Sequence, residues 1–267
     1  GMTLSPFARR LLAAGTLLVL AVLYLPLLVV LMNSFNPSQA MTWPLEGLTL
    51  EWWGRAWRSA GAREAIITSV QVALIATGTA LVLGTLLALA LQRFDFFGKS
   101  SVNLLVILPI ALPGIVTGIA LNNAFRGILA IQLSLMTLIV AHATFTIVTV
   151  FNNVQARLRR LSGSLEEASA DLGAGTWTTF RLVTFPQLRS ALLAGGLLAF
   201  ALSFDEIIVT TFTAGQGVTT LPIWILQNLF RPNQAPVVNV IAVVLILLSI
   251  IPIWLAQKLS GDTGGLR

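Results

Sequence analysis

The chain has 267 residues, of which 56% are hydrophobic and only 10% are charged, and its formal net charge is +6. Soluble domains contain about 25% charged residues, so this composition excludes an ordinary soluble domain and indicates an integral membrane protein. Because the chain has no cysteine, a single histidine (His142) and basic residues scattered between apolar segments, we expect no disulfide, no metal site and no nucleic-acid partner.

Six apolar segments are long enough to cross a bilayer, which requires about 20 mostly apolar residues. They predict an all-α, polytopic membrane protein that forms one transmembrane domain over residues 1–267. The first segment is longer than the roughly 7–15 apolar residues of a cleaved signal peptide, so we expect it to be retained. The predicted spans cover residues 11–32, 65–91, 102–121, 133–154, 191–212 and 236–257.

The segment between the first two spans contains four tryptophans: Trp43, Trp52, Trp53 and Trp57. Its stretch EWWGRAW predicts a short helix that lies along the membrane surface. Tryptophan is enriched at the membrane–water interface, so the cluster is either an interfacial aromatic belt or part of a docking surface for an external partner. A further apolar patch over residues 218–230 is too short to cross and predicts a re-entrant or surface helix.

Two of the predicted spans contain residues that are unusual in a membrane helix. Pro109 and Pro113 lie in the third span, and proline removes a backbone hydrogen bond, so this span is expected to kink either for packing or for a gating motion. His142 lies in the fourth span with no carboxylate in its own helix. We interpret it as a hydrogen-bonding partner in helix packing rather than as a proton relay.

A polar insert over residues 162–187 separates the fourth and fifth spans. Ser164 and Glu167 have the spacing of a capping box, in which the serine caps the helix start and the glutamate reaches back. Gly173 suits the position after the helix, where the backbone turns with positive φ. Thr176 is predicted to cap a second short helix, which should end before the proline near the end of the insert.

The basic residues predict the orientation, because segments on the cytoplasmic side are enriched in lysine and arginine. With both termini in the cytoplasm, eleven of the sixteen basic residues lie inside. The inner residues are Arg9, Arg10, Arg93, Lys99, Arg157, Arg159, Arg160, Arg181, Arg189, Lys258 and Arg267. The outer residues are Arg55, Arg58, Arg63, Arg126 and Arg231.

Two adjacent carboxylates, Asp205 and Glu206, fall within the fifth predicted span. A carboxylate near the bilayer centre costs about 2.5–3.5 kcal/mol on insertion scales, so such a residue usually faces a watery cavity or a partner. Neighbouring helical residues point about 100° apart, so we expect one of the two, Asp205 before Glu206, to line a substrate pathway with Ser203 nearby. The alternative is that both cap or pair at an interface, with Arg126 or Arg231.

The insert resembles the coupling motif of permeases of type I (MetI-like) ABC importers, which reads E-A-A, three residues, G, nine residues and I-x-L-P. The matching residues here are Glu167-Ala168-Ser169, Gly173 and Val183-Thr184-Phe185-Pro186. The departures from the motif are modest in size. The shorter segments LPIALPGIVTGIAL and SFDEIIVTTFTAG are most similar to permeases of the spermidine/putrescine branch.

This resemblance implies a non-catalytic permease subunit of an ATP-driven importer in the bacterial inner membrane. Its implied partners are a second, related permease, two ATPase subunits and an extracytoplasmic binding protein. ATP and Mg²⁺ would be bound by the ATPases, since this chain has no G-x-x-x-x-G-K-[ST] loop. The residues implied in ATPase coupling are Ser164, Glu166, Glu167, Ala168, Ser169, Asp171 and Gly173.

A polyamine such as putrescine or spermidine is the expected substrate, because the branch resemblance and the two carboxylates of the fifth span both favour an organic cation. Two alternatives remain open. The chain is an importer permease for another small solute, or it is a secondary transporter or channel that works alone.

Overall fold

Long apolar helices make up most of the structure, a computed structural model that describes residues 5–261. Residues 1–4 and 262–267, with Arg267 among them, lie outside the described residues. Throughout the described range the regular elements are helical. The α-helices are α1 (Pro6–Asn33), α2 (Glu51–Arg58), α3 (Ala60–Arg93), α4 (Lys99–Ala111), α5 (Gly114–Asn123), α6 (Leu135–Leu158), α7 (Ser164–Asp171), α8 (Thr176–Thr179), α9 (Phe185–Phe204), α10 (Ile208–Thr213), α11 (Leu221–Asn228) and α12 (Ala235–Gly261).

The helices confirm the predicted polytopic, all-α class. Within residues 5–261, five helices are long and apolar enough to cross a membrane, and a sixth is counted if α4 and α5 form one bent span. The predicted first, second, fourth and sixth spans correspond to α1, α3, α6 and α12. The apolar patch over 218–230 forms α11, which has 8 residues and is too short to span.

The third predicted span, 102–121, is not one straight helix. Its two parts, α4 and α5, differ in direction by 108°. The break is at Leu112, whose ψ of 145° is extended, directly before Pro113. Proline disfavours the helical conformation of the preceding residue, whereas Pro109 lies inside α4 without ending it. The second of the two prolines therefore produces the bend.

Small residues allow α3, α6 and α9 to cross closely. A Cβ atom added to Gly84 of α3 would lie 2.9 Å from the Ile147 carbonyl oxygen of α6. On α9, a Cβ atom added to Gly195 would lie 3.2 Å from the Asn153 Cβ of α6. Phe151 and Leu188 are fully buried in the apolar core between these helices. The polar insert follows α6 and precedes α9, so both its ends are fixed to this core.

The described chain forms two compact units. One contains residues 5–63 with Ile225–Ile246, and the other contains Glu64–Trp224 with 247–261. In the first unit, α2 confirms the predicted short helix. Trp52 of this helix is buried, and its indole Nε1 donates a hydrogen bond to the Asn36 carbonyl at 2.6 Å. Trp52 is therefore part of the packing of this unit, while Trp57 is exposed.

Candidate functional site

The polar insert begins with α7, but the predicted capping box is wrong. Gly163 is the N-cap residue, and no side chain forms a capping hydrogen bond there. Ser164 is already the first helical residue, and its Oγ lies 2.7 Å from Ser162 Oγ. The Glu167 N–H bonds to the Gly163 carbonyl at 3.0 Å. The helix therefore starts one residue earlier than predicted. Its N-cap is Gly163, and glycine is well tolerated at that position even though it has no side chain to form a capping hydrogen bond.

The turn after α7 confirms the prediction for Gly173. Its φ is +83°, in the left-handed region that glycine adopts at little cost. The Gly173 N–H bonds to the Ala170 carbonyl at 2.9 Å, and the Ala174 N–H bonds to the Ser169 carbonyl at 3.1 Å. This pair of hydrogen bonds is a Schellman motif, which satisfies carbonyl groups at the helix end and reverses the chain.

The second part of the insert differs from the prediction. Thr176 is not the cap of α8, because Gly175 holds that position without a side-chain hydrogen bond. The helix also does not end before Pro186, since residues Thr176–Phe204 form one continuous apolar helix. A π turn over Phe180–Thr184 precedes the proline, and in it the Phe185 N–H bonds to the Phe180 carbonyl. This wider turn admits a ring that would clash with the backbone of a regular α-helix.

Six of the seven coupling residues lie on two different faces of α7, and the seventh, Gly173, lies in the turn that follows it. Glu166 and Ser169, three positions apart, are half-buried against the chain's own helices. The Ser169 Oγ lies 2.9 Å from the Thr179 Oγ1 of α8. The exposed residues are Ser164, Glu167, Ala168, Asp171 and Gly173. This second group is the more accessible to another protein.

Glu166 is bound by two residues that the sequence analysis did not pair with it, Arg93 and Thr184. The Arg93 Nη2 group, at the end of α3, donates a hydrogen bond to Glu166 Oε1 at 3.2 Å, and Arg93 Nε lies 2.9 Å from Glu166 Oε2. The buried Thr184 hydroxyl donates to Glu166 Oε1 at 3.0 Å. Since Arg93 lies 73 positions from Glu166, no local pattern could have paired them.

Asp205 and Glu206 do not lie on a continuous helix, as the predicted span 191–212 implied. Helix α9 ends at Phe204, and α10 begins at Ile208. We call residues 205–207 the α9–α10 break. Asp205 is exposed, whereas Glu206 is half-buried and its Oε1 accepts a hydrogen bond from the Val209 N–H at 2.6 Å. None of the ion pairs among the described residues includes either carboxylate.

Ser203 is buried next to the α9–α10 break and contacts His142. The His142 Nδ1 lies 2.7 Å from Ser203 Oγ, and its Nε2 lies 2.8 Å from the Thr210 Oγ1 of α10. The imidazole is 1% exposed, which agrees with the packing role expected for it. Sequence reasoning missed Thr210 because it lies 68 positions from His142.

Polar side chains from two other helices hold the far end of α10. The Asn122 Nδ2 donates to the Phe212 carbonyl at 2.7 Å, and the Thr137 hydroxyl donates to the Thr213 carbonyl at 2.8 Å. Gly118 of α5 lies against the Phe212 ring, where an added Cβ would be 2.7 Å from its Cδ2 atom. The short helix is therefore fixed at both ends. Over residues 5–261, no three His, Cys, Asp or Glu side chains are grouped to hold a metal ion.

The long apolar helices define a multi-pass membrane protein, and its distinguishing feature is the polar insert with a glycine turn between α6 and α9. Residues 80–263 match the family described as "Binding-protein-dependent transport system inner membrane component". This chain belongs to that family and is a multi-pass inner membrane protein.

Two relatives from Escherichia coli (strain K12) are similar over most of the chain. The spermidine/putrescine transport system permease protein PotC is 32% identical over 265 residues, which covers 97% of this chain and 99% of PotC. The putrescine transport system permease protein PotI is 32% identical over 231 residues, which covers 84% of this chain and 81% of PotI.

The fold is also similar to that of a solved structure. A chain in the crystal structure of a bacterial ABC transporter involved in the import of the acidic polysaccharide alginate superimposes with a TM-score of 0.75. The match covers 97% of this chain and 99% of that chain at 16% sequence identity. At this identity the likeness concerns the fold, and it agrees with the predicted permease architecture.

Proposed function

We propose that this chain is the transmembrane permease subunit of an ATP-driven importer and that the exposed face of α7 binds a partner ATPase. The observation that supports this most directly is the division of α7 into a face held by its own chain and a face open to a partner. Large apolar side chains that follow α7 in the chain are exposed: Leu172 is 89% exposed, and Trp177 of α8 is 71% exposed. Such side chains in an otherwise polar segment are typical of a protein-binding surface.

In this proposal the complex contains a second permease chain, two ATPase subunits and an extracytoplasmic binding protein. Membership of a binding-protein-dependent transport family supports the last of these. ATP and Mg²⁺ bind to the ATPase subunits, and this chain contributes no catalytic group. Both termini and the polar insert lie in the cytoplasm, where a nucleotide-binding partner has access to α7.

The proposed mechanism is alternating access driven by the ATPase partners. ATP binding draws the two ATPases together and displaces α7, which is joined to α6 and α9 at its two ends. These helices then open the cavity between the permeases to the other side of the membrane. The ATPases shift the equilibrium because they bind one conformation more tightly than the other.

The docking proposal predicts that Glu167→Lys weakens ATPase binding. A charge reversal at the centre of the exposed face should lower the affinity by at least about tenfold, which corresponds to about 1.4 kcal/mol. The measurement is the affinity of the purified ATPase subunit for the permease pair in nanodiscs. Glu46→Lys is the matched control, because Glu46 is an exposed acid in the loop between α1 and α2. Equal affinity of Glu167→Lys and wild type would contradict the docking proposal.

We further propose that the transported solute is a polyamine. The names of two relatives, both 32% identical to this chain, support this. The exposed carboxylate of Asp205 at the α9–α10 break adds an electrostatic reason, since it attracts cations. Glu206 is less available because it accepts the Val209 N–H.

This substrate proposal predicts that Asp205→Asn raises the KM for labelled putrescine and spermidine by about tenfold in proteoliposomes, with a smaller effect on the maximal rate. Asp95→Asn is the control, because Asp95 is exposed at the turn between α3 and α4 and pairs with Lys99. An unchanged KM for both polyamines would remove Asp205 from the pathway. If the wild-type complex imports neither polyamine, the substrate is another small solute.

A further inference from the structure

The Arg93–Glu166 pair joins the C-terminal end of α3 to the N-terminal end of α7, and each charge has the sign that the dipole of its own helix favours. Arg93 is the last residue of α3, where the helix dipole favours a cation. Glu166 is in the first turn of α7, where the dipole favours an anion. The two side chains are 22% and 24% exposed, so water screens the pair only partly. Each charge is therefore held by its partner and by its own helix.

Open space lies beside the ion pair, between the end of α3, one side of α7, α8 and the π turn. A cavity of about 280 Å³ lies there. Its apolar lining includes Leu89 and Phe94 from the end of α3 and Ala170 from α7, and the Arg93–Glu166 pair borders it. Helix α7 itself packs against α8 and the π turn. The ion pair thus bridges a gap that apolar packing does not fill.

Thr184 extends this bridge to a third element. Its hydroxyl donates to the same Glu166 oxygen that accepts from Arg93 Nη2, and it lies in the π turn that leads directly into α9. One carboxylate of α7 is therefore bonded both to the end of α3 and to the start of α9. These are two of the three helices that cross closely in the core.

We propose that Glu166 is a positioning residue that transmits the displacement of α7 to α3 through Arg93 and to α9 through Thr184. This inference rests on the proposed ATPase docking and assigns different tasks to two adjacent acids. Glu167 contacts the partner, whereas Glu166 fastens the docking helix to the membrane core. Without the pair, an ATPase still binds α7 and α7 still contacts α8 and the π turn, but less of its movement reaches α3.

The test compares Glu166→Gln with Glu167→Gln, the same substitution one position apart. The assembled transporter is purified through a tag on this chain and reconstituted in proteoliposomes with its binding protein. Two quantities are measured: the affinity for the ATPase subunit and the labelled putrescine imported per ATP hydrolysed. Glu166→Gln should keep the affinity within about twofold and lower the import ratio at least about fivefold. Glu167→Gln should weaken binding and keep the ratio in complexes that remain assembled.

A double-variant cycle tests the pair itself. Because either single change breaks the ion pair, the double variant of Arg93→Gln and Glu166→Gln should lose no more of the import ratio than the more affected single variant. Additive losses in the double variant would overturn the inference. So would an unchanged import ratio in Glu166→Gln. A loss of affinity for the ATPase subunit in Glu166→Gln as large as in Glu167→Gln would also overturn it. If Glu166→Gln does not assemble, the import ratio of Arg93→Lys is measured instead. This substitution keeps the positive charge but loses the forked geometry of the guanidinium group. A ratio in Arg93→Lys equal to wild type would then overturn it.

Failure of the underlying proposal has a different result. If the wild-type permease binds no ATPase subunit and imports solute without ATP, the proposed function is wrong whatever the variants do. If the wild type is ATP-dependent and Glu166→Gln imports with the same ratio, only the role of the Arg93–Glu166 pair is refuted.

Discussion

At the residue scale, His142 connects the two helices on either side of the α9–α10 break. The Thr210 hydroxyl donates to the Glu206 carbonyl at 3.1 Å, so it is free to accept a hydrogen bond from the His142 Nε2–H. The Nδ1 atom then accepts from the Ser203 hydroxyl. This arrangement uses one tautomer of the ring and satisfies both hydroxyl groups. A single side chain of α6 thereby fixes the residues that flank Asp205 and Glu206.

Replacement of His142 by leucine should destabilise the chain measurably. Hydrogen bonds between membrane helices are worth about 0.6 kcal/mol on average and up to about 1.7 kcal/mol, and His142 makes two. We expect a loss of about 1–3 kcal/mol and a midpoint of thermal unfolding in detergent at least about 2 °C lower. Thr149→Val is the matched control, because this nearly buried hydroxyl of α6 bonds only to the Phe145 carbonyl of its own helix. Equal midpoints for the two variants would show that the bridge contributes no stability.

Residue pairs distant in sequence mark the limit of what a single sequence can predict. The coupling motif located α7 and its glycine turn correctly, because motif spacing and the positive φ of a glycine turn are local properties, whereas both predicted N-caps were wrong. The sequence analysis placed Glu166 with Glu167 among the ATPase-coupling residues, since nothing in the local sequence indicates that Glu166 contacts its own chain. Their environments differ because successive helical residues point about 100° apart, and Arg93 and Thr184 lie on only one side.

At the element scale, apolar length predicted the uninterrupted helices well. Helices α3, α6 and α12 follow long apolar segments, and length and hydropathy suffice to identify them. The breaks were less predictable. One proline, Pro113, ends a helix, whereas Pro186 is accommodated after a π turn. The α9–α10 break has no proline or glycine between Phe204 and Ile208, and α10, which follows it, is held by polar contacts from α5 and α6.

These breaks have a common physical basis. A non-helical backbone at membrane depth requires partners for its free N–H and C=O groups. Here the Val209 N–H bonds to Glu206, and the Phe212 carbonyl accepts from Asn122. The first partner is local, since Glu206 lies three positions before Val209, and the second lies on α5, so local sequence and tertiary structure together decide where such a break is stable.

At the scale of the whole molecule, the proposed function depends on the side of the membrane to which the polar insert is exposed. The excess of basic residues favours the cytoplasm for the insert and the opposite side for the loop between α1 and α2. If α4 and α5 together form one span, the number of spans is even, which agrees with the proposal that both termini lie on one side. An ATPase reaches α7 only if this orientation is correct.

Cysteine labelling tests the orientation directly, because the chain has no cysteine and each introduced thiol is unique. Gln39, in the loop after α1, and Ser162, at the start of the insert, are both exposed. In intact spheroplasts a membrane-impermeant maleimide should label Gln39→Cys but not Ser162→Cys. Detergent permeabilisation, the internal control, should make both thiols reactive. Labelling of Ser162→Cys before permeabilisation would place α7 outside the cell, and no cytoplasmic ATPase could then bind it.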